Sequence, residues 1–131
     1  MALRKRRPGL VYPTWEDWHY VGEAGEPAFG TDWTNVGTPW PAMAYRLREA
    51  GVVDIVGTVA AGATPAAIVF TLPAEYQPNE QAFMPYVIQL AGVKSGGLLV
   101  VNNTGDVIPQ DFAPTAYAYI YGSFFLDTAA P

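Results

Sequence analysis

From residue 42 onward, apolar and polar side chains alternate with a period of two. Met43, Tyr45, Leu47 and Glu49 alternate with Ala42, Ala44, Arg46 and Arg48, so a largely apolar face lies opposite a face carrying two Arg. That is the pattern of a half-buried strand, and Glu49-Ala50-Gly51 supplies a turn after it. Residues 52–60 are apolar on both faces apart from Asp54 and Thr58, which suits a strand covered on both sides. Gly62-Ala63-Thr64-Pro65 ends it, and residues 66–72 form a third strand closed by Pro73. Residues 81–90 alternate again, with Met84, Tyr86, Ile88 and Leu90 on one face and Pro85 marking an edge or a bulge. Lys94-Ser95-Gly96-Gly97 is expected to turn. Residues 98–101 and 107–108 then read as a hairpin around Asn102-Asn103-Thr104-Gly105-Asp106. The last segment, 116–126, sets Tyr117, Tyr119, Tyr121, Ser123 and Phe125 opposite Ala118, Ile120, Gly122 and Phe124.

About seven or eight strands, with turns every 8 to 12 residues or so and almost no helical period, predict an all-β chain. The expected architecture is an antiparallel β-sandwich, jelly-roll-like, with an extended N-terminal arm. Residues 1–40 are read as that basic, Trp-rich arm and linker, and 41–131 as the head domain. Between Val21 and Pro41 the chain is punctuated by Gly22, Gly25, Pro27, Gly30, Gly37 and Pro39 and has no sustained period beyond a short strand at 33–36. Such a stretch gains order only from contacts. Its Trp rings need somewhere to be buried.

Composition sharpens this picture. A chain of 131 residues suits one core and little more. Charged residues are 15% of the chain while half of it is hydrophobic, against about 25% charged in ordinary soluble domains, so part of the surface is expected to be covered by other copies or a larger assembly. Arg4, Lys5, Arg6 and Arg7 give the first seven residues a charge of +4, leaving three basic against twelve acidic residues, a formal −9, for the rest. A basic arm on an acidic body suits docking onto an acidic protein surface and disfavours nucleic acid, whose phosphates such a body repels. No apolar run approaches the roughly 20 residues that span a bilayer, and residues 1–10 lack the core of a signal peptide. The expectation is a protein made in a cytoplasm and not exported by a cleaved signal, with no membrane partner.

Chemistry-bearing residues are sparse. Cys is absent and His19 is the only His. Ser95 and Ser123 sit in no nucleophile elbow, Gly96-Gly97 is no phosphate loop, and Glu16-Asp17 and Asp106 with Asp111 lack the pattern of a Ca²⁺ loop. No catalytic, metal or cofactor site is expected, and the chain reads as no enzyme. The aromatic residues Trp15, Trp18, Trp33, Trp40, Tyr117, Tyr119 and Tyr121 could form a platform on which sugar rings stack. With no Asp, Asn or Arg cluster beside them in the sequence to grip hydroxyls, they are read instead as staples and contact residues.

Tyr45-Arg46-Leu47, residues 53–59 with Gly57-Thr58-Val59, and Ile68-Val69-Phe70-Thr71-Leu72-Pro73 with Tyr76-Gln77-Pro78 carry a resemblance. In this pattern of turns and core residues the chain resembles the small β-sandwich head domains of tail-fibre and minor tail proteins from phages of actinobacteria. The resemblance implies a virion setting. A head that begins at Met and ends soon after its last strand suggests a free-standing virion surface protein: a capsid decoration protein that stabilises the assembled shell, with the major capsid protein, or a tail protein, as partner. Arg4, Lys5, Arg6, Arg7, Tyr12, Trp15 and Trp18 are the expected docking residues. Tyr117, Tyr119 and Tyr121 are the expected contact of a homotrimer. The alternative is a tail-tip or fibre-head receptor-binding protein that recognises host surface glycans.

Overall fold

The computed structural model describes residues 15–48 and 51–127. They form nine strands, all paired antiparallel: β1 (His19–Tyr20), β2 (Trp33–Asn35), β3 (Ala44–Arg48), β4 (Val52–Ala61), β5 (Phe70–Thr71), β6 (Ala82–Leu90), β7 (Val93–Val101), β8 (Asp106–Pro109) and β9 (Tyr117–Phe125). The order across the sheet is β1-β3-β4-β9-β6-β7-β8-β5, with β2 also pairing β4. The fold is all-β and antiparallel, as the alternation predicts. One sheet curls until its two halves face each other in a sandwich-like half-barrel. Across the concavity Tyr45 of β3 stacks on Phe70 of β5, their ring centroids 5.9 Å apart.

The period of two sorts every long strand into an inner and an outer set. Inside lie Met43, Tyr45, Val53, Ile55, Val59, Met84, Tyr86, Ile88, Leu99, Val101, Ala118, Ile120 and Phe124, which pack as one core. Glycine makes room where the curl is tight. A side chain at Gly57 would stand 2.4 Å from the Met43 backbone, so only a hydrogen fits where the chain crosses β4. Outside lie Arg46 and Arg48 on β3, Asp54 on β4, and the odd-numbered residues of β9.

Residues 15–40 are tied into this body by long-range contacts. β1 pairs β3 and β2 pairs β4. Val21 and Trp33 are buried in the core, and the Trp33 indole N–H donates to the Ala66 carbonyl at 2.8 Å. Residues 1–14 lie outside the described residues, and with them Arg4, Lys5, Arg6, Arg7 and Tyr12; so do Glu49 and Ala50 of the expected turn.

Two local expectations are corrected. Lys94-Ser95-Gly96-Gly97 is not a turn: β7 runs through it, and the reversal falls at Ala91 and Gly92, with φ of 51° and 80°. Two consecutive positive φ values make the tight hairpin turn that matches strand twist. Gly97 serves packing instead, since a side chain there would stand 2.6 Å from the Tyr86 ring. In the segment 66–72 only Phe70–Thr71 joins the ladder. Pro85 sits where it can be tolerated, because the β6–β9 ladder ends at Val87 and asks no hydrogen bond of its missing N–H.

Candidate binding site on the outer sheet face

Register brings the outer polar residues of three strands into one row. Arg46 of β3 lies opposite Asp54 of β4, and Asp54 opposite Ser123 of β9. The Asp54 carboxylate accepts from Arg46 Nε at 3.1 Å, from Arg48 Nε at 2.9 Å and from Ser123 Oγ at 2.6 Å. A carboxylate that is 9% exposed in a largely apolar strand is tolerable only with such partners. Two guanidinium groups share this one carboxylate, so the row itself carries a net positive charge.

The segment before β1 covers this row from above. The Arg46 guanidinium lies 4.2 Å from the Trp18 ring centroid and 4.6 Å from that of Trp15, and Arg48 lies 5.7 Å from Trp15. These are cation–π distances. The rings and the row leave a shallow cleft of about 320 Å³, lined by Trp15, Trp18, Arg46, Arg48, Asp54, Tyr121 and Ser123, among others. On its far wall Tyr121 stands 86% exposed. The cleft therefore combines aromatic rings with a ready set of hydrogen-bonding groups.

Below it, a polar clasp fixes the segment that carries the two Trp. The His19 Nδ1 atom lies 2.7 Å from Glu26 Oε2, and the Tyr45 hydroxyl donates to Glu26 Oε1 at 2.6 Å. Nε2 lies 3.1 Å from the Tyr76 hydroxyl and 3.4 Å from Glu16, which also accepts the Leu47 backbone N–H at 2.8 Å. The His19 ring stacks on Tyr45 with centroids 5.1 Å apart. The hydrogen bond to Glu26, helped by the charge of Glu16, raises the His19 pKa above its ordinary value against the opposing effect of burial. Hydrogen bonds from Tyr45 and then His19 lower that of Glu26. Burial, then hydrogen bonding to a glutamate, pushes both phenols up. Both imidazole nitrogens face groups of this chain, so the clasp holds structure together. Among the described residues no group of three or more His, Asp or Glu is placed to hold a metal ion.

The residues singled out from the sequence separate in space. Of the docking set, Trp15 and Trp18 are turned onto this chain's own Arg46. Trp33 is core, and Trp40 packs edge-on to Tyr119 with centroids 5.6 Å apart. Of the tyrosine row, Tyr117 and Tyr121 are exposed. Tyr119 is held by Trp40, by Lys94 at 5.9 Å from its ring, and by a hydrogen bond to Gln89. Sequence reasoning missed the Arg46, Arg48, Asp54 and Ser123 constellation, which supplies the grip that the rings lack in the sequence. The signal was a lone acid in a covered strand, three residues past an expected turn from a strand with two outward Arg. No family model matches this sequence, and no curated protein is similar to it.

Proposed function

We propose that this chain is a non-enzymatic phage virion protein, and that it binds a host surface glycan in the cleft between Trp15, Trp18 and Tyr121. The virion setting rests on the resemblance carried by Tyr45-Arg46-Leu47 and residues 53–59 and 68–78. One observation carries the binding reading: an 86% exposed Tyr121 ring facing a row of Arg46, Arg48, Asp54 and Ser123 in one open cleft. Sugar rings stack their C–H faces on aromatic side chains, while their hydroxyls take up charged donors and acceptors in fixed geometry. Pinning of the guanidinium groups by Asp54 and the indoles keeps the ordering cost of binding low. Binding of the chain to an array of bacterial cell-wall and capsular glycans, lost in Tyr121→Ala with its far-UV spectrum unchanged, is the expected result. An array on which wild type and variant are equally blank overturns the reading.

Capsid decoration is the second reading, supported by the +4 of the first seven residues against the −9 of the remainder. The copy number in purified virions separates the two. Parity with the major capsid protein favours decoration, and a handful of copies favours a tail position.

A further inference from the structure

The cleft between Trp15, Trp18 and Tyr121 holds more positive charge than its scaffold uses. Outside the first seven residues the chain has three basic residues against twelve acidic ones. Two of those three, Arg46 and Arg48, line this one cleft, and among the described residues its lining has a single carboxylate, that of Asp54. Pairing of surface acids alone would spread the two Arg over an acidic body instead of setting them side by side.

The donors are as uneven as the charges. A guanidinium carries five N–H donors. Among the described residues, that of Arg46 donates one hydrogen bond, from Nε to Asp54. That of Arg48 donates from Nε to Asp54 and, at 3.4 Å, from Nη2 to Ser123 Oγ. The Ser123 proton is itself given to Asp54 at 2.6 Å. The Arg46 side chain, beneath both indoles, is 19% exposed, and that of Arg48 is 31% exposed. Arg46 therefore holds the Trp-bearing segment, while Arg48 offers terminal Nη donors to the cleft.

We infer that the glycan taken by this cleft is an acidic one, whose carboxylate or phosphate group meets the Nη donors of Arg48 while a sugar ring stacks on Tyr121. This rests on the glycan reading and narrows it. Tyr121 and Ser123 stand on one face of β9 about 7 Å apart, and Arg48 reaches Ser123, so ring and guanidinium are separated by about one sugar unit. A neutral sugar would satisfy the stacking and leave the excess charge facing hydroxyls. An anion cancels that charge, through hydrogen bonds about twice as strong as neutral ones and in the fork geometry that a guanidinium presents. The −5 of the whole chain opposes the approach of an anion. Beyond about 8 Å that repulsion is largely screened at physiological salt, and at contact the two Arg dominate.

The test is an array of bacterial cell-wall and capsular glycans, each printed in native, carboxyl-reduced and dephosphorylated form. The wild type is expected on glycans that carry acidic groups, with binding reduced roughly tenfold or more by one of the two treatments. The effective treatment identifies the group as carboxylate or phosphate. Arg48→Gln, with its far-UV spectrum unchanged, is expected to bind the native form no better than the neutralised one. Should that variant not fold, the three printed forms decide on the wild type alone. Equal binding of all three forms, or an Arg48→Gln that keeps the full preference, overturns the inference and leaves the glycan reading standing. An array blank in every form overturns both.

Discussion

The convex side of the sheet has a clothed half and a bare half. On β3 and β4 the polar outward residues are Arg46, Arg48, Asp54 and Thr58. They are covered by Trp15, Trp18 and the Trp40-Pro41 segment, whose Pro41 carbonyl accepts the Thr58 N–H at 2.9 Å. On β6 and β7 the outward residues Phe83, Val87 and Leu98 are exposed. Polarity is thus inverted relative to exposure: charge lies beneath rings, and apolar side chains meet solvent. Charged outer positions can be covered because one carboxylate and two aromatic rings satisfy them. Apolar outer positions left open, in a chain with only 15% charged residues, are the kind of surface that partners cover in other proteins.

The strongest way to break the contrast is to remove the centre of the clothed half. Asp54→Ala leaves Arg46, Arg48 and Ser123 without their shared acceptor, with an expected loss of about 2–3 kcal/mol. The melting temperature should fall by several degrees in calorimetry, about 3 °C for each kcal/mol. Val87→Ser on the bare half is expected within about 0.5 kcal/mol of wild type. Equal losses at the two sites would erase the distinction.

How far the chain could be read beforehand divides along a similar line. The segments 43–48, 82–90 and 117–125 were legible because each carries its own period of two, which set Tyr45, Met84 and Ile88 on an apolar face, and 52–61 because it is an apolar run bounded by turn residues. Gly96-Gly97 misled because glycine marks both turns and close packing. The true reversal uses Ala91, a residue with no turn preference of its own. The order of residues 15–41 was not legible locally, since Val21 and Trp33 are placed by partners far along the chain. The binding row was hidden for the same reason. Arg46, Asp54 and Ser123 become neighbours only through the β3–β4–β9 register.

A second, smaller test removes a covering ring. Trp18→Ala deletes the closer of the two indoles over Arg46, with an expected cost of about 1 kcal/mol from the lost cation–π contact and its packing, read as a shift in denaturant midpoint at unchanged slope. Because it also opens one wall of the cleft, it should weaken glycan retention more than it weakens the fold. A full loss of stability with glycan retention intact would place Trp18 in the scaffold alone.

The smallest expected effect concerns the clasp that sets the height of the clothing. His19 has a folded pKa raised above 6.5 by Glu26 and Glu16, so its contribution is complete below that ordinary value and fades as pH rises through the folded one. Glu26 has a folded pKa below 4.5 because Tyr45 and His19 hydrogen-bond its charged form, so its contribution is complete above 4.5 and is lost as pH falls through the lower value. The clasp is therefore strongest between these two ordinary values. His19 and Glu16 are about one-third exposed, and solvent screening holds the change to below about 1 kcal/mol. Denaturant midpoints measured on either side of His19's titration should drop slightly toward high pH in the wild type. In His19→Gln, which cannot titrate, that drop should vanish. A drop that persists in His19→Gln would assign the dependence to another group and leave the Trp15–Trp18 segment held by its indole contacts with Arg46.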